Sequence, residues 1–481
     1  MVESPPDAAS SAANKKRKLN HSEARHAEDV TGRQVENIAR LGSAIESGLK
    51  EPPEHDCIHQ CGPTALSILN SRPDEVLQLA HEKLHTWPYR DVPTCWRRLY
   101  EEASLHKVIK LCTHAVVSGD SNLRMEVLLS PSTFRDFDPL VDRIISTLDM
   151  AIFLSGAPGR EALIDHAFHI LLISSPLDHP STSGLKYKQP AIPELSTHYP
   201  IKRLSHPLDL ESFQNHLDTA ATPLIIPGQL DEWPAIDKWK DPAYLLKLTL
   251  NGRRLVPIEL GRSYTDEGWS QTITKFGDFF HNHLIEGDNT SQTKQDQNPE
   301  NEAPAPNRAP TAYLAQHDLF TQLPALRTDI LIPDLCYTTP PRSTPASTKP
   351  VSQLDEPLLN AWLGPPGTQS PLHTDPYHNI LAQPVGYKYV RLYAPEETRR
   401  LYPRGTDEMG VDMGNTSFVD IGGEVLGRKG GEVLGELWPE FKEAGFQEAV
   451  LGPGECLYIP VGWWHYVEGL SSSFSVSFWW N

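Results

Sequence analysis

SPLHTDPYHNILAQPVGYKYVRLY, residues 370–393, sets two histidines, an aspartate and a lysine inside an otherwise apolar, aromatic, β-prone run. The plain reading is a half-buried strand pair with polar decoration. The chemical reading is a metal site with an anchor for a charged co-substrate. Residues two apart on a strand project to the same side. His373 and Asp375 can therefore converge on one ion. His378 lies at an odd offset beyond Pro376 and is expected to turn away. In GYKYVRLY (386–393), Lys388, Val390 and Leu392 share one face, while Tyr389, Arg391 and Tyr393 share the other. A lysine on an apolar strand face is rarely buried without a charged partner. A co-substrate carboxylate would be such a partner; a snorkelling surface lysine is the alternative.

Two ligands do not make a metal site. A second His-x-Asp pair, His216 and Asp218, lies in LDLESFQNHLDTA, whose apolar spacing is helical. Residues two apart on a helix diverge, so that pair cannot share an ion. The better third ligand is His465, in PGECLYIPVGWWHYVEG (453–469). The motif turns at its Pro-Gly, runs as a strand through ECLYIP and restarts at VGWWHYV. One aspartate and two histidines form a facial triad, which leaves three positions of an octahedral ion open and suits non-haem Fe(II).

The rest of the chain frames this site. Its 481 residues allow two or three domains, and a net charge of −19 argues against direct nucleic-acid binding. An acidic body favours a basic protein or peptide partner. Six cysteines without a CxxC pair point to a reducing compartment. HDCIHQC (55–61) lacks a second ligand cluster and reads as a poor zinc site. No apolar run is long enough to span a membrane, and no secretory leader is expected. Residues 1–33 read as a disordered tail carrying KKRK, Lys15 to Lys18, which resembles a nuclear import signal. Nuclear localisation is the expectation, with a cytoplasmic pool also compatible.

Residues 34–180 read as a helical domain, with apolar residues three and four apart in 140–156 and 160–175. Residues 181–200 read as a linker. From 201 to 481, short β-branched and aromatic runs recur between turns, as in a β-sandwich or barrel. Residues 286–310 are almost free of apolar side chains and read as a disordered insertion. GGEVLGRK followed by GGEVLGE (422–436) reads as a loop expansion.

Five stretches together resemble the jumonji-C family of Fe(II)- and 2-oxoglutarate-dependent oxygenases, most closely the subgroup of jumonji-domain-containing protein five. They are SYTDEGWSQT (263–272), AYLAQHDLFTQLPAL (312–326), AWLGPPGTQSPLHTDPYHN (361–379), GYKYVRLYAPEETRRLYP (386–403) and the run from Pro453 to Trp480. The resemblance spans about residues 200 to 481. It implies an α+β chain: a C-terminal double-stranded β-helix, or cupin-like jelly roll, after an N-terminal helical domain. It implies Fe(II) on His373, Asp375 and His465. Lys388 and Tyr313 would hold the distal carboxylate of 2-oxoglutarate, with Asn379 and Ser370 as hydrogen-bonding neighbours, and O2 as the other co-substrate. Glu259, Tyr264, Trp269 and Trp362 fall where the subgroup lines its substrate cleft, although core packing competes as a role for the aromatics. The implied activity is hydroxylation of protein side chains, arginine first. Demethylation of lysine on a histone tail by the same chemistry is the alternative. A metal-dependent peptidase and a non-catalytic chromatin-binding scaffold are readings of other classes. Oligomeric state is not legible.

Overall fold

The computed structural model describes residues 35–49, 52–117, 139–174, 185–192, 195, 198–266, 268–286, 311–341, 351–406, 410–425 and 431–481. The expected tail at 1–33, nearly all of the expected insertion at 286–310, and residues 426–430 of the GGEVLG repeat lie outside the described residues. The chain divides into two compact units, Met1–His179 and Pro180–Asn481.

The first unit is helical. Its described helices are α1 (residues 35–48), α2 (Pro63–Ile68), α3 (Pro73–Leu84), α4 (Thr94–Val117), α5 (Pro139–Ser155) and α6 (Glu161–Ser174). The last two occupy the runs whose 3.6-residue periodicity marks them in the sequence. Ile58, Val76, Ala80, Leu99 and Ala103 belong to one buried cluster. Arg98 is buried on α4 and is satisfied by Asp56, Glu101 and Glu102, the last of which also takes Arg160. Buried charges persist only when paired in this way.

The second unit is built from strands. In chain order they are β1 (Lys202–Arg203), β2 (Leu224–Pro227), β3 (Leu255–Leu260), β4 (Ser270–Lys275), β5 (Ala312–His317), β6 (Leu358–Gly364), β7 (Gln369–His373), β8 (His378–Val385), β9 (Lys388–Tyr393), β10 (Phe446–Leu451), β11 (Glu455–Ile459), β12 (Trp464–Gly469) and β13 (Ser473–Trp480). Nine form one sheet in the order β1-β2-β11-β8-β13-β6-β5-β3-β4, and four form another in the order β10-β9-β12-β7. All the strand pairs are antiparallel except β1 with β2.

The two sheets face each other across a shared apolar layer. Ile225, Leu381, Leu457 and Ile459 come from the nine-stranded sheet. Val390, Leu392, Ala449, Leu451 and Val467 come from the four-stranded one. The alternate residues of β8, Ile380 and Ala382, pack outward with Phe213, Trp239 and Phe478. Strand β8 is therefore buried on both faces, with the apolar run Ile380 to Ala382 at its centre. Tyr389, Tyr393, Trp464 and Tyr466 cover the outer face of the smaller sheet. The result is the jelly-roll architecture that the sequence resemblance implies.

Part of the segment read as a linker is docked on this unit. Tyr187 is buried, its hydroxyl donates to the Trp239 carbonyl at 3.0 Å, and it bridges to Ile285. Backbone bonds from Lys188 to Leu284, Glu286 to Lys186 and Ser472 to Lys188 hold the segment too, and a Pro- and Ser-rich composition does not reveal them.

Candidate metal and co-substrate site

His373 ends β7, Asp375 follows two residues later, and His465 is the second residue of β12. The two histidines are direct cross-strand partners, with ring centroids 4.2 Å apart. The three donor atoms lie within 4.8 Å of one another, and among the described residues no other such group is present. His373 Nε2 is 3.8 Å from Asp375 Oδ1, and His465 Nε2 is 3.5 Å from Asp375 Oδ2. Each imidazole donates its Nδ1 proton to a backbone carbonyl: His373 to Pro371 at 2.7 Å and His465 to Trp463 at 3.1 Å. Those bonds fix the rings and leave both Nε2 lone pairs turned toward the carboxylate.

The electrostatics suit a cation. Burial, followed by the neighbouring His465, lowers the His373 pKa to about 4, so its imidazole is neutral at physiological pH. Burial pushes the Asp375 carboxyl up, but hydrogen bonds and charge from the histidines, with help from Asn379, hold it below its ordinary value. The neutral His373 imidazole, the His465 ring and one carboxylate form a donor set that fits a divalent transition ion.

His378 is turned to the other side, as its offset requires. Its Nδ1 meets the Tyr458 hydroxyl at 2.8 Å, and its ring packs against Tyr458 and Trp480. His216 lies on the helix Leu210–Thr219 and bonds the Thr222 carbonyl at 2.8 Å.

Lys388 sits on the inner face of β9, opposite Gly469 of β12 and Leu451 of β10. It is 2% exposed. Its ammonium donates to the Tyr313 hydroxyl at 3.1 Å, and among the described residues no carboxylate pairs with it. Burial alone lowers its pKa to about 7. This is not a snorkelling lysine: its charged end is enclosed. A buried ammonium with one neutral partner is costly, and an incoming carboxylate relieves that cost.

A bulge brings Ser370 to the same side. The β7–β12 register pairs His465 with His373, then Val467 with Ser370, so one extra residue sits on β7 between them. Ser370 and His373 thus face inward although they are three apart. Asn379 of β8 also faces inward, opposite Ile459, and its buried Oδ1 has no partner among the described residues.

The four cleft candidates gather around Glu259 and Tyr313. Glu259 of β3 is the direct partner of Tyr313 on β5, and Trp269 Nε1 donates to Glu259 Oε2 at 3.2 Å. Burial raises the Glu259 carboxyl, with the Trp269 and Gln271 bonds opposing. The Tyr264 hydroxyl meets Thr416 Oγ1 at 3.4 Å and feels the charges of Asp375 and Glu259; burial carries its pKa up to about 12. The Trp362 ring centroid is 6.1 Å from that of Tyr313, but its indole N–H is already given to Ser477 Oγ at 2.9 Å. Of the four, it has the strongest packing role.

A cupin-like domain model matches residues 210–481. Lysine-specific demethylase 8 of Xenopus tropicalis is 32% identical over 92% of this chain and 95% of its own length. Jumonji C domain-containing protein 5 of Drosophila melanogaster is 32% identical over 83% of this chain and 84% of its own, and lysine-specific demethylase JMJ30 of Arabidopsis thaliana is 31% identical over 84% of each. The chain belongs to the cupin-like jumonji-C family. It is accordingly a 2-oxoglutarate-dependent oxygenase.

The structure adds residues that the jumonji-C resemblance left unassigned. Trp479 Nε1 and Asn360 Nδ2 are buried donors without a partner among the described residues. Trp479 pairs with Asn379 in the β13–β8 register, and Asn360 pairs with Ser477, so all of them line the inner face. Nothing in the FWW and LLNAW runs separates these two from packing residues. Their orphaned polar atoms are visible only in the folded chain.

Proposed function

We propose that the chain hydroxylates side chains of basic proteins, arginine first, using Fe(II) held by His373, Asp375 and His465 and 2-oxoglutarate held at its distal carboxylate by Lys388 and Tyr313. The carrying observation is the enclosed Lys388 ammonium, which among the described residues has no carboxylate of its own, beside an intact triad. When bound, Fe(II) and 2-oxoglutarate couple decarboxylation to succinate with insertion of one oxygen of O2 into a substrate C–H bond.

The chain's own residues bind, orient and exclude water. His373, Asp375 and His465 would hold the ion and leave coordination positions for co-substrates. Lys388 and Tyr313 fix the far end of 2-oxoglutarate, with Ser370 and Asn379 beside it. Glu259 is set to receive a guanidinium, because its carboxylate accepts the planar fork while Tyr264 and Trp269 wall the cleft. The peptidase and scaffold readings leave the Lys388 anchor without a purpose.

A second reading rests on the names of two of the reported relatives, which speak of lysine-specific demethylases. The same aromatic walls can take an N-methylammonium by cation–π contact, and hydroxylation of an N-methyl releases formaldehyde. Incubating the protein with Fe(II), 2-oxoglutarate and basic peptides distinguishes the two. Gain of one oxygen on an arginine peptide supports hydroxylation. Loss of a methyl from lysine with formaldehyde release, without oxygen gain on arginine, overturns the first reading in favour of the second. KKRK at 15–18 supports action in the nucleus on such substrates. Replacing Lys15 to Lys18 by alanine should reduce nuclear accumulation of a tagged chain while leaving catalysis intact.

A further inference from the structure

HDCIHQC lacks a second ligand cluster in the sequence, but the fold brings a third thiol to it. Cys57 and Cys61 lie at the two ends of one 3-10 turn, and Cys95 is the second residue of α4. The Cys61 thiol donates to the Cys95 carbonyl at 3.2 Å and also hydrogen-bonds the Cys95 thiol. Cys57 stands near enough to both to interact electrostatically with them. All three are free thiols. They are not gathered for a metal: no three donors here lie within 4.8 Å of one another. What is pre-arranged is a pair.

We propose that Cys61 and Cys95 form a redox-modification site, closing to a reversible disulfide under hydrogen peroxide. The Cys61 thiolate, on the more exposed member of the pair, attacks the O–O bond. The S–O bond forms, the O–O bond breaks, and protonated oxygen leaves as water; sulfur is now a sulfenic acid. The Cys95 thiolate then attacks that sulfur. The S–S bond forms, the S–O bond breaks, and a second water leaves. Two thiols are oxidised by two electrons, and one peroxide is reduced to two waters.

The reaction is slow by design of the site. Burial, then Cys95, pushes the Cys61 thiol well above its ordinary range, so little thiolate is present. At Cys57, burial and Asp56 outweigh the opposing Arg98 guanidinium, so that thiol is raised as well. The pair therefore answers sustained peroxide, not brief pulses. Closure ties the turn to α4 across 34 residues of chain.

The test is on the full chain. After peroxide and alkylation of remaining thiols, a non-reducing tryptic digest should contain the 57–61 peptide joined to the Cys95 peptide, and dithiothreitol should separate them. Cys57→Ser should keep the crosslink; Cys61→Ser and Cys95→Ala should each lose it, with circular dichroism confirming their helices. Oxidised wild type should melt higher than reduced by on the order of 5 °C, because a loop of this length is closed. No crosslink in folded wild type, or a crosslink that survives Cys61→Ser and vanishes in Cys57→Ser, overturns the assignment. None of these readouts depends on oxygenase turnover.

Discussion

Lys388 carries two opposed demands. Its ordinary pKa of 10.5 falls to about 7 when the folded chain encloses it without a carboxylate. In the unfolded chain the amine keeps its proton up to its ordinary value. Below pH 7 the co-substrate-free fold thus carries a buried charge, and that penalty is relieved as pH rises from 7 to 10.5. Lys388→Met should therefore stabilise the co-substrate-free protein near pH 6, by up to a few kcal/mol on the order of the pKa displacement. Denaturant unfolding at that pH measures it. Binding reverses the preference, because the 2-oxoglutarate carboxylate favours the ammonium. Affinity should be highest below pH 7 and fall as pH rises above it, by up to about tenfold per unit. Lys388→Ala should bind 2-oxoglutarate about ten- to a hundredfold more weakly and lose that pH dependence. Titrations with inert Mn(II) give both numbers; equal affinity in the variant would remove Lys388 as the anchor. At the triad, His373→Ala or His465→Ala should abolish succinate formation with the fold intact, whereas His378→Ala should change metal binding little, since its ring points into the outer core.

At the scale of elements, close approaches decide whether these side chains reach one another. Gly364 ends β6 where β5 presents Tyr313. A Cβ there would meet Tyr313 Cδ2 at 2.6 Å and Thr368 Cγ2 at 2.9 Å. Gly364→Ala should push Tyr313 off Lys388, weaken 2-oxoglutarate binding several-fold and lower stability by about 1–3 kcal/mol. Calorimetric titration and thermal melting together check it, and an unchanged variant would show that the ring has room to retreat. Strand period exposes much of this site in the sequence. The two-residue rule puts His373 with Asp375 and turns Lys388 inward on β9, which pairs without a register shift, and the odd offset turns His378 away. The rule stops at irregularities. Ser370 faces inward only through the extra residue of β7, and a bulge leaves no mark on SPLH. Trp479 and Asn360 are hidden for a related reason: apolar runs do not disclose which polar atom is left unpaired. Pairing distances across the sheet order are likewise absent from the sequence. Glu259 meets Tyr313 through an antiparallel register between strands separated by the insertion.

For the whole molecule, the division at His179 and Pro180 sets the proposed chemistry apart from the N-terminal helical unit. Every residue of the candidate site lies after Pro180. The second unit has its own apolar layer between the sheets, an outer layer around Phe213 and Trp239, and a third beneath Tyr389 and Trp464. Tyr187 is anchored to the Trp239 carbonyl, so the boundary must keep the segment that the sequence reads as linker. A fragment of residues 180–481 should therefore fold cooperatively and bind 2-oxoglutarate with Mn(II) within about threefold of the full chain, a difference of well under 1 kcal/mol. A fragment starting at Ile201 loses Tyr187 from the core, and removing a buried large aromatic costs about 3–5 kcal/mol, so it should melt markedly lower. Thermal melting of the two fragments beside the full chain is the measurement. Equal melting of both would show that Tyr187 contributes nothing to the fold. Failure of the longer fragment to bind 2-oxoglutarate, while folded, would mean that the site needs the helical unit, and the assignment of the chemistry to residues after Pro180 alone would fall.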